Sequence, residues 1–148
     1  MVVAVKVDSE EVFKILVEEH LKTSDIPEET LGLIAQFYNS HPVSKLGISC
    51  FGPINLDESS EDYGRIVNTP KVHWIGYNVV KSLRSKLTFS PELKVNVDVG
   101  CASYFEFKHG GWGVKKNLSF LTCGTGLGIG SVVNGLPCTG LTHPEGGH

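Results

Sequence analysis

Apolar positions recur at two different spacings along this chain, and the change from one to the other marks its elements. Residues 2–7 read VVAVKV, a β-branched run that predicts a short strand. Residues 12–21 carry two patterns at once. Val12, Ile15, Leu16 and Glu19 fall at helical spacing, while the density of β-branched residues suits a strand. Pro27 with Glu28 and Glu29 predicts a helix start, because proline fits the first turn and acids complement its partial positive charge. Leu31, Ile34, Ala35 and Tyr38 form the apolar face of that helix, which ends near His41-Pro42. Residues 45–51 predict a buried strand stopped by Gly52-Pro53. An acidic loop over 57–62 follows, then a brief strand over 65–67 before Thr69-Pro70. Residues 77–87 predict a second helix with Val79, Val80 and Leu83 inward. Residues 93–99 alternate as a strand, with Leu93, Val95, Val97 and Val99 on one face and Lys94, Asn96 and Asp98 on the other. A short helix over 102–109 and an apolar strand over 118–123 come next. Four glycines at alternate positions then precede a second apolar run, 131–133, and a Gly/Pro-rich tail. Strands alternating with helices predict an α/β class, whose functional loops lie past the carboxyl ends of strands. Gly52-Pro53, Asp98 and Gly124-Thr125 all sit at such ends, so they are expected to converge on one cleft.

Composition narrows the function. The chain has 148 residues, 41% hydrophobic and 20% charged, which suits one globular domain with a real core. Its net charge is −3 and no basic patch is present, which argues against nucleic acid or anionic lipid as partner. No apolar run is long enough to span a bilayer, and the N-terminus turns acidic too early for a signal peptide. Four widely spaced cysteines lack a C-x-x-C pair. Cys50, Cys101 and Cys123 end or follow predicted strands, where a reduced, buried thiol is expected, and a cytoplasmic location follows.

The segment NLSFLTCGTGLGIGSVVNG carries the clearest chemistry. Glycine lets backbone N–H groups lie against a ligand oxygen, and Thr125 adds a hydroxyl, so this segment suits a phosphate. It matches neither G-x-G-x-x-G nor a P-loop, and a tight hairpin that touches nothing is the alternative. Asp98 either accepts a proton from a hydroxyl nucleophile or caps the turn before the next helix. His143, Glu145 and His148 at the C-terminus offer metal ligands, or a carboxylate for vicinal hydroxyls. Trp74 covers either a sugar face or the core. His20, His41, His109 and Trp112 are expected at the surface or in structural roles.

Together these stretches resemble fructokinases of the ROK (repressor, ORF, kinase) sugar-kinase family. The resemblance rests on GISCFGPI (47–54), YGRIVNTPKVHW (63–74), VDVGCA (97–102), LTCGTGLGIGSVVNG (121–135) and GLTHPEGGH (140–148), in the family's order. It implies an actin-like ATPase, ribonuclease H-like fold with a mixed sheet, in the form of one incomplete lobe of a two-lobed kinase. Residues 1–148 would be a single N-terminal-lobe-like domain truncated at the C-terminus, with residues 2–23 supplying the second and third strands of the opening hairpin. The implied activity is ATP-dependent phosphorylation of a hexose, typically fructose at its C6 hydroxyl. By the resemblance Asp98 is the general base, and Gly124, Thr125, Gly126 and Gly128 form a phosphate-binding loop. Glu145 would contact the sugar, and Gly100 stands at a sugar-site position where the family usually has asparagine. His148 would be the first ligand of a structural Zn²⁺ that is incomplete here. Mg²⁺ would travel with ATP. The small-molecule partners would be hexose and ATP, with a homodimer as an assembly. The family's opening phosphate loop and its second domain are absent from this sequence. Little activity is therefore expected of the chain alone, and the alternative is a non-catalytic sugar- or nucleotide-binding remnant or a protein-interaction fragment.

Overall fold

A computed structural model describes residues 2–7, 14–113, 116–124, 126–140 and 146–147. Strands β1 (Val2–Val7) and β2 (Ile15–Leu21) pair antiparallel, from Val2 opposite Leu21 to Lys6 opposite Val17, with a register shift at Lys6/Val7. The ambiguous stretch is thus a strand from Ile15. Pairing with β1 decides it, since a strand needs a partner that a periodicity count does not see.

Helix α1 (Pro27–Ser40) starts at the proline, as its sequence predicts. Ser24 Oγ accepts from the Ile26 N–H, and the Thr30 hydroxyl donates to the Ser24 carbonyl, so side chains organise the turn entering the helix. Leu31, Ala35, Phe37 and Tyr38 are buried. Helix α2 (Val79–Lys86) is capped by Asn78, whose side chain accepts from the Lys81 N–H at 2.8 Å. Val79, Val80 and Leu83 point inward as expected. The two helices are tied at their ends. The Asn39 amide donates to the Lys86 carbonyl and its oxygen accepts from the Thr88 N–H, while Glu28 takes both Lys86 and the Tyr77 hydroxyl.

Strands β3 (Lys45–Cys50) and β4 (Glu92–Val97) pair in parallel, Leu46 opposite Leu93 and Cys50 opposite Val97. Leu46, Leu93, Val95 and Val97 are buried against the helices. The expected brief strand over 65–67 reduces to isolated bridges, Ile54 with Ile66 and Arg65 with Asn78. Helix α3 (Asp98–His109) is longer than expected and begins at Asp98, so Asp98 and Val99 belong to the helix and not to the strand. The alternating pattern runs on past the strand because Val99 is also buried, on the helix's inner side.

Strands β5 (Leu118–Cys123) and β6 (Leu127–Val133) form an antiparallel hairpin, extended by β7 (Leu136–Pro137) and β8 (Gly146–Gly147) on β6. Helix α3 packs on this hairpin, so Val132 and Ser103 are fully buried. The α/β class holds, with parallel and antiparallel pairing divided among three sheets.

Candidate functional site

The site grows from the carboxyl ends of the two parallel strands. Leu93, Val95 and Val97 bury one face of β4, so the chain arrives at Asp98 with fixed direction and turns at once into α3. The Asp98 side chain is exposed at the helix N-terminus. Its Oδ1 accepts from the Val99 N–H at 2.8 Å, which leaves Oδ2 to meet a ligand. An acid in the first turn also complements the helix dipole, while the N-cap position is Val97 and no side-chain hydrogen bond caps the helix.

Asp98 borders a cavity of about 580 Å³ that runs along β3 beside α1. Cys50, Phe51, Lys71 and Trp74 line it together with Asp98. Trp74 is 7% exposed and packs edge-on to Phe51, with centroids 5.3 Å apart, and to Tyr77 at 5.9 Å. It therefore belongs to the core while presenting part of its ring to the cavity. Lys71 Nζ stands 3.7 Å from the centre of the Phe51 ring, a cation over an aromatic face. Burial pushes the Cys50 thiol up to about 11, and the Asp98 charge adds to this while Lys71 opposes it. Burial likewise raises Cys101 in the first turns of α3. Both thiols are half-buried, whereas Cys123, expected to be buried at the end of its strand, is exposed. It lies where the hairpin runs past α3, with nothing covering that end among the described residues.

The alternate glycines divide between a turn and a strand. Gly124 and Gly126 make the turn, with the Gly124 N–H donating to the Gly126 carbonyl at 3.0 Å. Gly128 and Gly130 lie inside β6 and are buried. Gly130 has a packing reason: a Cβ there would stand 2.0 Å from the Val99 carbonyl oxygen and 3.0 Å from the Gly100 nitrogen. Strand β6 therefore crosses the first turn of α3 at the closest distance a backbone permits. This crossing brings the glycine segment to the helix that begins with Asp98. Gly128 lies two residues away along β6, about 7 Å by strand rise. Gly100 sits in that first turn with the Asn96 side-chain oxygen 3.3 Å from where its Cβ would be.

Thr125, Glu145 and His148, with His143, lie outside the described residues. Among the described residues no three His, Cys, Asp or Glu side chains are placed to hold a metal ion, so no step is derived through zinc. His20 and His109 are exposed and His41 half-buried, as expected of surface residues. Trp112 is exposed too and donates to Glu106 at 3.2 Å. Lys71 and Phe51 are the site residues that reading the sequence did not single out. Each lies inside a stretch that carries the resemblance, which was the available signal.

The architecture is that of the actin-like ATPase fold, and solved structures share that fold. A ROK family protein from Streptococcus pneumoniae in complex with sucrose aligns over 90% of this chain and 43% of its own, with a TM-score of 0.69 and 22% identity. A ROK family glucokinase from Streptomyces griseus in complex with glucose and AMPPNP aligns over 90% and 41%, with a TM-score of 0.72 and 21% identity. The profile of the ROK family matches residues 3–148, and the chain belongs to that family. Among curated relatives, a fructokinase of Lactococcus lactis subsp. cremoris is 39% identical over 122 residues, 82% of this chain and 40% of the relative. A fructokinase of Zymomonas mobilis is 35% identical over 144 residues, 91% of this chain and 46% of the relative. The chain thus spans less than half the length of these relatives. No helix among the described residues is long and apolar enough to cross a membrane.

Proposed function

We propose that this chain is the hexose-binding and proton-accepting portion of a cytoplasmic ATP-dependent sugar kinase, with fructose as its sugar. The observation that carries the reading is the placement of Asp98: exposed, at the mouth of a cavity walled by Trp74 and Lys71, one turn from the crossing of β6. Family membership and the fructokinase relatives support the reaction class and the sugar.

In this reading the C6 hydroxyl approaches Asp98, whose carboxylate is already oriented through its Val99 N–H bond. As the oxygen attacks the γ-phosphorus of ATP, its proton passes to the carboxylate and the bond to the ADP oxygen breaks. Magnesium supplied with the nucleotide neutralises phosphate charge. The Trp74 ring borders an apolar sugar face, and Lys71 adds positive charge on the side where phosphate arrives. Thr125, Gly126 and Gly128 would offer backbone N–H groups to phosphate, the Gly124 N–H being taken by the Gly126 carbonyl.

Sugar binding tests this directly. In a Trp112→Phe background, Trp74 is the remaining indole, and fructose should change its fluorescence saturably. The Asp98→Asn variant should bind at least several-fold more weakly, having lost a charged acceptor. No response to fructose, mannose or glucose overturns the sugar site. The paired assay is hexose-dependent ADP release. Residues 1–148 by themselves, spanning less than half the length of the curated relatives, should turn over little, because transfer to sugar needs a closure that excludes water. Fructose-dependent turnover that is lost in Asp98→Asn would instead make the chain a working kinase by itself.

A further inference from the structure

We propose that the cavity between the loop over 57–62, helix α2 and the start of β4 binds a phosphorylated polyol, such as a sugar phosphate. It holds about 340 Å³ and shares no lining residue with the cavity that Asp98 borders. Helix α2 separates the two: Val79 and Leu83 line one, and Val80, Lys81 and Arg84 line the other. This second site stands apart from the kinase reading, which uses none of its residues.

Val80 and Leu93, both buried, give the cavity an apolar floor. Charged side chains stand around it, and several of them answer one another. Lys94 holds Glu58, and Glu92 lies 3.9 Å from Lys45, which does not line the cavity. Lys81, Arg84 and Glu61 are in no ion pair among the described residues. Lys81 and Arg84 stand three positions apart on α2, so their side chains share a face. Two neighbouring cations without a carboxylate match a dianion, and a phosphate monoester carries nearly two charges at neutral pH. Glu61 opposes a bare anion, and an ionised carboxylate only accepts hydrogen bonds. A ligand that suits both ends therefore brings hydroxyl donors together with its phosphate. Ser60 and Tyr63, both half-buried, supply donors in return. The Ser60 hydroxyl accepts from the Asn55 amide at 3.3 Å and from the Asp62 N–H at 3.1 Å. The Tyr63 hydroxyl accepts from the Val95 N–H at 3.0 Å. Among the described residues neither hydroxyl has an acceptor for its own proton, so each is left to donate to a ligand oxygen. An apolar floor with a few convergent polar groups is the usual form of a small-molecule site.

Glucose 6-phosphate is the probe, with glucose, inorganic phosphate and phosphoethanolamine as comparisons. Amide NMR titration of the whole chain reads both affinity and place. Saturable shift changes should centre on residues 58–63, 80–84 and 92–94. Glucose should give none there, and inorganic phosphate should bind several-fold more weakly than the sugar phosphate. Lys81→Gln combined with Arg84→Gln should weaken glucose 6-phosphate by about tenfold or more. Glu61→Gln should weaken the sugar phosphate but not inorganic phosphate, because its carboxylate meets the hydroxyls. Asp98→Asn should leave the titration at these residues unchanged, which separates it from a phosphorylated sugar bound at the other cavity. The substituted side chains are exposed, and a dispersed spectrum checks that each variant folds. If one unfolds, the shift map on the unmodified chain still decides. Absence of saturable binding, shifts centred on Lys71 and Asp98 instead, or full affinity in the folded double variant each overturns the proposal. So does equal binding of inorganic phosphate, which would assign the site to the free ion, or tighter binding of phosphoethanolamine, which would set an ammonium against Glu61.

Discussion

Single residues hold most of the chemistry, and Asp98 shows how neighbours set one another. Its charge and the burial around Cys50 together hold that thiol at about 11, far above an ordinary cysteine. At pH 8 only about one Cys50 in a thousand is then a thiolate. Alkylation with iodoacetamide at pH 8, read by mass spectrometry, should therefore label the exposed Cys123 and Cys138 well before Cys50. Asp98→Asn removes one of the two influences that raise the thiol, so Cys50 should label faster in that variant. Unchanged Cys50 labelling would mean that Asp98 does not face it. Asp98 stood out in the sequence as a candidate base or cap but not as the first residue of a helix. Alternation of Val95, Val97 and Val99 continues through the junction, and a period of two does not register the bend.

At the scale of elements, two junctions are open to test. Gly130 lets β6 touch the first turn of α3, and Gly130→Ala would drive a methyl into the Val99 carbonyl 2.0 Å away. The expected loss is about 2–3 kcal/mol in urea unfolding, at the upper end for overpacking because a backbone atom cannot step aside. Gly47→Ala on β3, where nothing lies within 4 Å of the new Cβ, should change stability by less than about 1 kcal/mol. The α1–α2 junction depends on Asn39 and Glu28. Asn39→Ala leaves the Lys86 carbonyl and the Thr88 N–H without their partner and should cost about 1–3 kcal/mol. Glu28 is held below its ordinary value near 4.5, first by its hydrogen bond from Lys86 and then by that from Tyr77. A carboxylate lowered in the folded state stabilises above its unfolded value, and that contribution fades as pH falls through the folded one. The melting-temperature gap between the unmodified chain and Glu28→Gln should therefore shrink towards zero below about pH 4. Because Glu28 is exposed, the gap should be small at any pH. Element positions were largely legible, since Pro27 and the β-branched runs act locally. The four glycines read as one loop, yet Gly128 and Gly130 are strand residues, because the need for bare backbone comes from α3, packed on them from elsewhere in the chain.

At the scale of the molecule, the hairpin of β5 and β6 turns Leu121, Leu127, Ile129 and Val133 outward on the face opposite α3. Leu121 and Ile129 are direct cross-strand partners and are 60% and 37% exposed. An apolar face of this kind favours self-association. Light scattering after size exclusion should show mass rising with protein concentration, and Leu121→Lys with Ile129→Lys should return it towards the monomer. A monomer at all concentrations would refute the self-association.

The sequence by itself determined the α/β class, the start of α1 at Pro27, the strands with one buried face and the motifs that carry the family resemblance. Those features depend on short-range periodicity, on caps and on proline, which act within a few residues. Tertiary structure alone decided that 15–21 is a strand, since its partner is β1. It also placed Lys71 over Phe51 beside the cavity that Asp98 borders and set β6 against Val99. Each of these depends on contacts between segments far apart along the chain, and local pattern carries no record of such contacts.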